Sequence, residues 1–352
     1  MSIQIVAKLI GALSLFLFSC RDDLPPAPEG NSSETNQTAS PELVSQAPSA
    51  QEALTPDAGN SSLEGSTKTE PDSPEVVAAT PPVLDALPPS VIEKVDQPVS
   101  LGGGNQQARI QGILRKANPG YSGQGRFHEQ DGEIVAAEFP NCSLRDLSPL
   151  KGLKLQMLDL SGNPVREIRH LKGMPLNVLW LENTEVVSLK SLSDAKLREL
   201  RLNNSPVESL DGIQGQPLEN LYAVGTRIKG VEPLRKSNLR GLWLTGSPVT
   251  DLSPLAGLPL ESLTAHRTLV NDLSFVRKLP VIQRLHIGET LIHDLTPLEG
   301  LRLTRLVFTP SRIKRGIEAA KRLQGLREIG VAFDDQRQEI MPPVQFWAKY
   351  KK

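Results

Sequence analysis

The chain has 352 residues, enough for two ordinary domains, and a formal net charge of −1. Its two cysteines, Cys20 and Cys142, are too few for a disulfide framework, so we expect stability to come from packing. The near-neutral total hides two unlike parts. Residues 21–98 carry 3 basic and 14 acidic side chains, a net of −11, whereas residues 99–352 carry 35 basic and 26 acidic side chains, a net of +9.

Residues 1–20 are predicted to be a signal peptide. Lys8 supplies its positive charge, and Leu9–Phe18 form an apolar run too short to span a bilayer permanently. The run ends in Leu17-Phe18-Ser19-Cys20, which resembles a bacterial lipobox. The resemblance implies cleavage before Cys20 and lipidation of its thiol. The alternative is an ordinary secretory signal with an incidental cysteine.

Lipid at Cys20 predicts an exported domain held at a membrane of the cell envelope, since two or three acyl chains give a stable anchor. Arg21 follows the cysteine where an Asp would favour the inner membrane, so the outer membrane is the preferred location. Residues 21–105 are predicted to be a disordered linker. They hold 13 prolines between Arg21 and Pro98 and no Trp, Tyr or Phe in that stretch, so they cannot bury enough apolar surface to offset their ordering entropy.

Residues 106–133 are predicted to be an N-terminal cap. Gln106–Lys116 has the apolar spacing of a short amphipathic helix, with Ile110, Ile113 and Leu114 on one face. Asn118-Pro119-Gly120 ends it. A cap of this kind covers the core of the first repeat of a solenoid, which would otherwise face water.

Residues 134–325 contain an internal repeat. The unit reads L-x-x-L-x-L-x-x-(N/T/S), and six successive units follow one another at a spacing of 21 residues. Residues 326–352 hold a last, looser unit and a predicted C-terminal cap in which Phe346 and Trp347 are expected to be buried. The ten units start at Ile134, Leu155, Leu176, Leu197, Leu218, Leu239, Leu260, Ile282, Leu303 and Leu326.

The period predicts an α/β solenoid, a leucine-rich-repeat fold with a right-handed curved parallel sheet. Each unit supplies one short strand at positions 3 to 6, with positions 1, 4, 6 and 11 in the core and a small polar residue at position 9 satisfying backbone groups. A unit of 21 residues leaves room for only one 3₁₀ turn on the convex side. Phrases such as Asp251-Leu252-Ser253-Pro254-Leu255 predict that Ser caps this turn and that Pro begins it. A longer helix is expected at Arg312–Leu323.

Residues 106–350 resemble the leucine-rich-repeat domains of planctomycete and verrucomicrobial proteins, and more distantly the repeats of internalins. The resemblance implies a binding domain without naming a ligand, and the internalin likeness implies a protein partner on the concave sheet. The phrases that carry it are Leu114–Gly120, Leu147–Leu153, Lys172–Leu176, Gly316-Ile317, Leu326–Gly330 and Pro343–Lys349.

The candidate ligand-binding residues lie at positions 3, 5 and 7, which are expected to face the solvent on the concave side. Position 5 is aromatic or charged in neighbouring units, and Arg201 is placed between two rings for cation–π contacts. Exposed aromatic and arginine clusters are typical of binding hot spots. The alternative is a cross-strand stack that only stiffens the sheet. The predicted site residues are Trp180, Glu182, Arg201, Asn203, Tyr222, Trp243, His266, Arg284 and His286.

These residues predict a binding protein and not an enzyme. No Ser-His-Asp arrangement has support, and a metal shared by His266 and His286 is not expected because Arg267 and Arg284 lie beside them. We expect no cofactor and no nucleic-acid partner, and we expect a monomer. The partner is predicted to be a protein or peptide. A glycan or cell-wall polymer, including an anionic envelope polymer at the basic end of the sheet, remains an alternative, as does a structural tether without a ligand.

Overall fold

The computed structural model describes residues 104–333 and 338–350. The predicted signal peptide, the lipidation site Cys20 and nearly all of the predicted linker lie outside the described residues. Within them, no helix has both the length and the apolar composition needed to cross a bilayer.

The described residues form one sheet of twelve strands, which follow one another in the order of the sequence. Neighbouring strands from β2 to β11 pair in parallel, and the first and last pairs are antiparallel hairpins. The strands are β1 (Arg126–Gln130), β2 (Glu133–Glu138), β3 (Met157–Asp159), β4 (Val178–Trp180), β5 (Glu199–Arg201), β6 (Asn220–Tyr222), β7 (Gly241–Trp243), β8 (Ser262–Thr264), β9 (Arg284–His286), β10 (Arg305–Val307), β11 (Glu328–Phe333) and β12 (Gln338–Met341).

The strands pair repeat position to repeat position. Leu158 lies opposite Leu179, and Leu179 lies opposite Leu200, so every position stands beside its equivalent in the next unit. The leucines of positions 1, 4 and 6 and the aliphatic residues of position 11 form one continuous buried core. Burying one such side chain is worth about 1.5–3 kcal/mol, so the repeat supplies most of the stability.

Short 3₁₀ turns follow the strands, as predicted, but their caps differ from the prediction. Ser253 does not cap with its side chain. Instead Asp251 accepts hydrogen bonds from the Ser253 backbone N–H (2.7 Å) and hydroxyl (2.8 Å), because a carboxylate two residues earlier reaches both donors. The turns are Ser148–Leu150, Arg169–Leu171, Lys190–Leu192, Glu232–Leu234, Ser253–Leu255, Ser274–Lys278, Thr296–Leu298 and Pro310–Arg312.

Buried polar side chains at position 9 satisfy backbone groups where the chain leaves the strands from β3 to β9, as the sequence predicts. The Thr184 hydroxyl donates to the Leu181 carbonyl at 2.8 Å, and the Thr268 hydroxyl donates to Ala265 in the same way. Asn163 does more, because its amide donates to the Phe139 and Leu160 carbonyls, at 2.6 and 2.8 Å, and its Oδ1 accepts the Leu144 N–H at 2.9 Å.

The N-terminal cap contains helix α1 (Gly104–Ala117), close to the predicted bounds, and an antiparallel strand that the sequence did not predict. That strand, β1, pairs with β2 and places Phe127 edge-on against Phe139, with ring centroids 5.3 Å apart. Cys142 is a buried free thiol beneath this end, and burial raises its pKa to about 11. The thiol is therefore a packing residue.

The C-terminal cap differs from the prediction in its helix. Within the predicted segment Arg312–Leu323, the α-helix is only α2 (Ile317–Lys321), because Gly316 before it has a left-handed φ of 76°. A Cβ at Gly316 would come within 2.0 Å of the Thr296 backbone nitrogen in the preceding unit. Helix α3 (Pro343–Lys349) closes the core by placing Phe346 against Phe308, with ring centroids 5.7 Å apart. Phe346 is fully buried as predicted, and Trp347 is partly buried.

We expect Asn163→Ala to lower the free energy of unfolding by about 2–4 kcal/mol, because it leaves buried carbonyls and the Leu144 N–H without their hydrogen-bond partner. Chemical denaturation monitored by circular dichroism measures the change. Thr250→Ala, at an exposed position four units further along, is the control and should change stability by less than about 0.5 kcal/mol. Equal effects of the two substitutions would contradict this role for Asn163.

Candidate binding surface on the sheet

Four side chains of position 5 form a continuous stack on the face of the sheet turned away from the leucine core, the concave face. Strand pairing places Trp180 beside Arg201, Arg201 beside Tyr222, and Tyr222 beside Trp243. We call these four residues the aromatic column. The Arg201 guanidinium lies 4.2 Å from the Trp180 ring centroid and 4.9 Å from that of Tyr222. The cation–π arrangement inferred from the sequence is therefore present.

Trp180, at one end of the aromatic column, is buried instead of exposed, with only 2% of its surface accessible. Arg201 covers its ring, and its indole N–H donates to Glu199 at 3.0 Å. The same Glu199 oxygen accepts a 2.7 Å hydrogen bond from Arg201 Nε. Strands about 4.8 Å apart bring side chains this large into contact, so Trp180 is a supporting residue and not an exposed anchor.

Tyr222 and Trp243, at the other end, are half-buried and stack face to face. Their ring centroids are 4.3 Å apart and the planes differ by 6°. Gly241 makes room for this arrangement, because a Cβ at that position would come within 2.5 Å of the Trp243 ring. Two rigid aromatic rings thus reach the solvent, and Arg201 lies against the Tyr222 ring on the preceding strand.

Glu182 and Asn203 extend the surface along position 7. The Asn203 amide donates to Glu182 at 2.7 Å, and its Oδ1 accepts the Val224 backbone N–H at 2.9 Å. Both side chains are half-buried. They form a polar border along the half of the aromatic column that contains Trp180 and Arg201.

Three carboxylates, Glu138, Asp159 and Glu182, lie close together at the N-terminal end of the concave face. Burial raises the pKa of Asp159 and of Glu182, and the negative charges of Glu138 and Asp159, respectively, raise them further. Among the residues that the structure describes, no cation forms an ion pair with Asp159 or Glu182, whereas Glu138 is bound by His128 at 2.7 Å. Arg201 is the nearby cation that lowers both pKa values, and it is already held by Glu199.

The remaining predicted residues form a separate group, with Arg284 and His286 on β9 and His266 in the turn after β8. His266 and His286 are buried and Arg284 is half-buried. His286 Nδ1 lies 3.4 Å from the Thr264 hydroxyl, and His266 Nε2 lies 3.6 Å from Glu289. The basic charge predicted here is partly compensated, since Arg267 pairs with Glu289 at 3.0 Å and Arg305 with Glu328 at 2.6 Å.

The structure thus places His266, Arg284 and His286 apart, in the two units that follow Trp243. It brings together the other six predicted residues, Trp180, Glu182, Arg201, Asn203, Tyr222 and Trp243. The residue missing from the predicted set is Glu199, which binds both Trp180 and Arg201. A signal for it was present in the sequence, because Glu199 and Arg201 are two residues apart on one strand and so share a face.

The raised pKa values of Asp159 and Glu182 predict that stability falls as pH rises. The folded protein holds these protons more tightly than the unfolded chain, so stability is fully present below the ordinary Asp value near 3.8 and is lost as pH rises through the folded pKa. We expect Asp159→Asn to raise the free energy of unfolding at pH 7 and to have little effect at pH 3. Urea denaturation across this range measures it.

The matched control for this pH series is Asp131→Asn, in an exposed turn, which should leave the pH profile unchanged. A profile for Asp159→Asn that runs parallel to that of the unmodified chain would contradict a raised pKa of Asp159 in the folded protein.

Comparison with known proteins identifies the fold. No family model and no curated protein matches the sequence. The structure is similar to internalin InlF of Listeria monocytogenes, with a TM-score of 0.54 at 20% identity over 65% of this chain and 69% of that one. Internalin C2 of the same bacterium (TM-score 0.39, 21% identity, 57% and 92%) and a leucine-rich-repeat protein of Leptospira interrogans (0.40, 21%, 49% and 47%) are also found. The likeness to InlF confirms the predicted leucine-rich-repeat fold.

Proposed function

We propose that this chain is a membrane-anchored binding protein of the cell envelope, and that a protein or peptide partner docks on its concave face at Tyr222 and Trp243. The observation that carries the proposal is the stacked, half-exposed ring pair. Large aromatic side chains contribute much contact area at low entropic cost, and they dominate binding hot spots. Here the strands fix both rings before any partner arrives.

The surroundings of the ring pair favour a polypeptide over an anionic polymer. Asn203, Asn220 and Thr245 are half-buried polar side chains beside the rings, suited to hydrogen bonds with a peptide backbone. The arginines Arg267 and Arg305, which would attract a polyanion, are already ion-paired. The carboxylates Asp159 and Glu182 would repel one.

A neutral glycan is the second candidate. Tyr222 and Trp243 lie within 6° of parallel, and a flat ring face with amide side chains at its edge also suits the apolar face of a sugar. In a tether without any ligand, the stacked rings would only stiffen the sheet. Replacing both rings by alanine would abolish binding of a polypeptide or a glycan and would change nothing in a tether without a ligand.

We expect the full chain to retain a specific partner from envelope extracts and Tyr222→Ala/Trp243→Ala to lose it, because the rings supply the central contact. Affinity capture followed by mass spectrometry measures this. Arg240→Ala, an exposed residue directly before β7, is the control and should capture as the unmodified chain does. Loss of capture after protease treatment of the extract indicates a polypeptide, and retention indicates a glycan. Capture unchanged in the double variant would contradict the site.

The anchor is tested separately through Cys20. We expect the unmodified chain to fractionate with membranes and to incorporate labelled palmitate, and Cys20→Ser to do neither, since the lipid-bearing thiol is gone. Cys142 offers an internal control, because its buried thiol with a pKa of about 11 is unsuited to acylation. Membrane association and label retained in Cys20→Ser would favour an ordinary secretory signal or a different anchor.

A further inference from the structure

A second surface lies on the flank of the solenoid, at positions 10 and 12 of each unit, just after the strand. Position 10 is small polar, proline or charged in the first six units: Ser143, Pro164, Glu185, Pro206, Arg227 and Pro248. In the next two units it is Leu269 and Leu291, each 48% exposed. From the third unit to the eighth, every position-10 residue that is not a proline uses its backbone N–H in the same way, because Glu185, Arg227, Leu269 and Leu291 all donate to the position-11 carbonyl of the preceding unit at 2.9 Å. The fold therefore gives no reason for the leucines.

Leu291 borders a depression of about 470 Å³ that is also lined by Ile292, His293, Arg312 and Lys314. This volume lies within the range of small ligand pockets, about 300–1,000 Å³. The frame is rigid, since the Lys314 and Arg315 backbone N–H groups both donate to the His293 carbonyl, at 2.9 and 3.1 Å. We call this depression the flank pocket.

The charge of the flank pocket is positive and uncompensated. In the part of the chain that the structure describes, no carboxylate forms an ion pair with Arg312 or Lys314, and both side chains are exposed. The nearby carboxylates are already engaged, Glu289 with Arg267 at 3.0 Å and Asp294 with Arg315 at 2.8 Å. The Arg312 guanidinium donates a hydrogen bond to the Thr290 carbonyl, which orients it without neutralising its charge. An apolar floor with two cations at its rim that no described carboxylate neutralises fits a ligand that combines an apolar group with negative charge.

We propose that the flank pocket docks an acidic peptide segment whose aliphatic or aromatic side chain enters beside Leu291 while its carboxylates meet Arg312 and Lys314. A concave site favours an inserted side chain over a membrane surface, which is contacted by protruding apolar groups. This site lies off the concave face and is independent of the function proposed for Tyr222 and Trp243.

Selection of a random-peptide phage library on the full chain tests the proposal, with counter-selection on Lys314→Glu. We expect the recovered peptides to share Asp or Glu beside Leu, Ile or Phe. A synthetic peptide of the recovered sequence, labelled with fluorescein, should bind about tenfold more weakly to Lys314→Glu and to Leu291→Ser, and its affinity should fall with added salt.

The repeat supplies matched controls. Lys229 occupies position 12 as Lys314 does, and Val187 is an exposed aliphatic residue on the same flank in an earlier unit. Lys229→Glu and Val187→Ser should leave the Kd unchanged. Peptides that lack acidic residues, or that bind all four variants equally, would overturn the proposal. So would binding of phosphatidylglycerol vesicles that depends on Leu291 and Lys314 when no peptide is recovered.

Discussion

Everything in this domain depends on the in-register parallel pairing of three-residue strands. Each strand pairs with its equivalent in the next unit, from Ala136 opposite Met157 to Val307 opposite Gly330. A shift of one residue would exchange the core leucines with the concave-face residues, so burial of Leu158, Leu179 and Leu200 enforces the register. The position-9 hydrogen bonds then hold the chain where it turns away from the sheet.

The same register places the residues of each repeat position side by side on adjacent strands, about 4.8 Å apart. Where the neighbours are compatible, a preformed surface results, as in the alternation of ring, guanidinium and ring from Trp180 to Tyr222. Where carboxylates are buried close together, desolvation raises the pKa values of Asp159 and Glu182, and the negative charges beside them raise these values further. The charged forms of these two side chains are therefore held at a cost in stability.

The repeat period predicts which residues are buried in the core and which share a face, because both follow from position within the unit. It does not predict contacts between side chains of different units. Trp180 is buried by Arg201 and Glu199, although the column predicted an exposed ring. Local backbone effects are also missed, since Gly316 shortens a helix that the apolar pattern extends, and the capping carboxylate of Asp251 precedes the predicted capping residue Ser253.

A regular repeat makes departures from the pattern informative, because equivalent positions share one backbone and one environment. Asn163 replaces the usual hydroxyl and adds hydrogen bonds, so that departure has a structural reason. Gly241 has one too, since the Trp243 ring occupies the space above it. Leu269 and Leu291 have none within the fold: they gain no burial, and their backbone bonds are those of Glu185 and Arg227. The acidic peptide proposed for the flank pocket would cover Leu291 beside Lys314, which gives this exposed leucine a use that the fold itself does not supply.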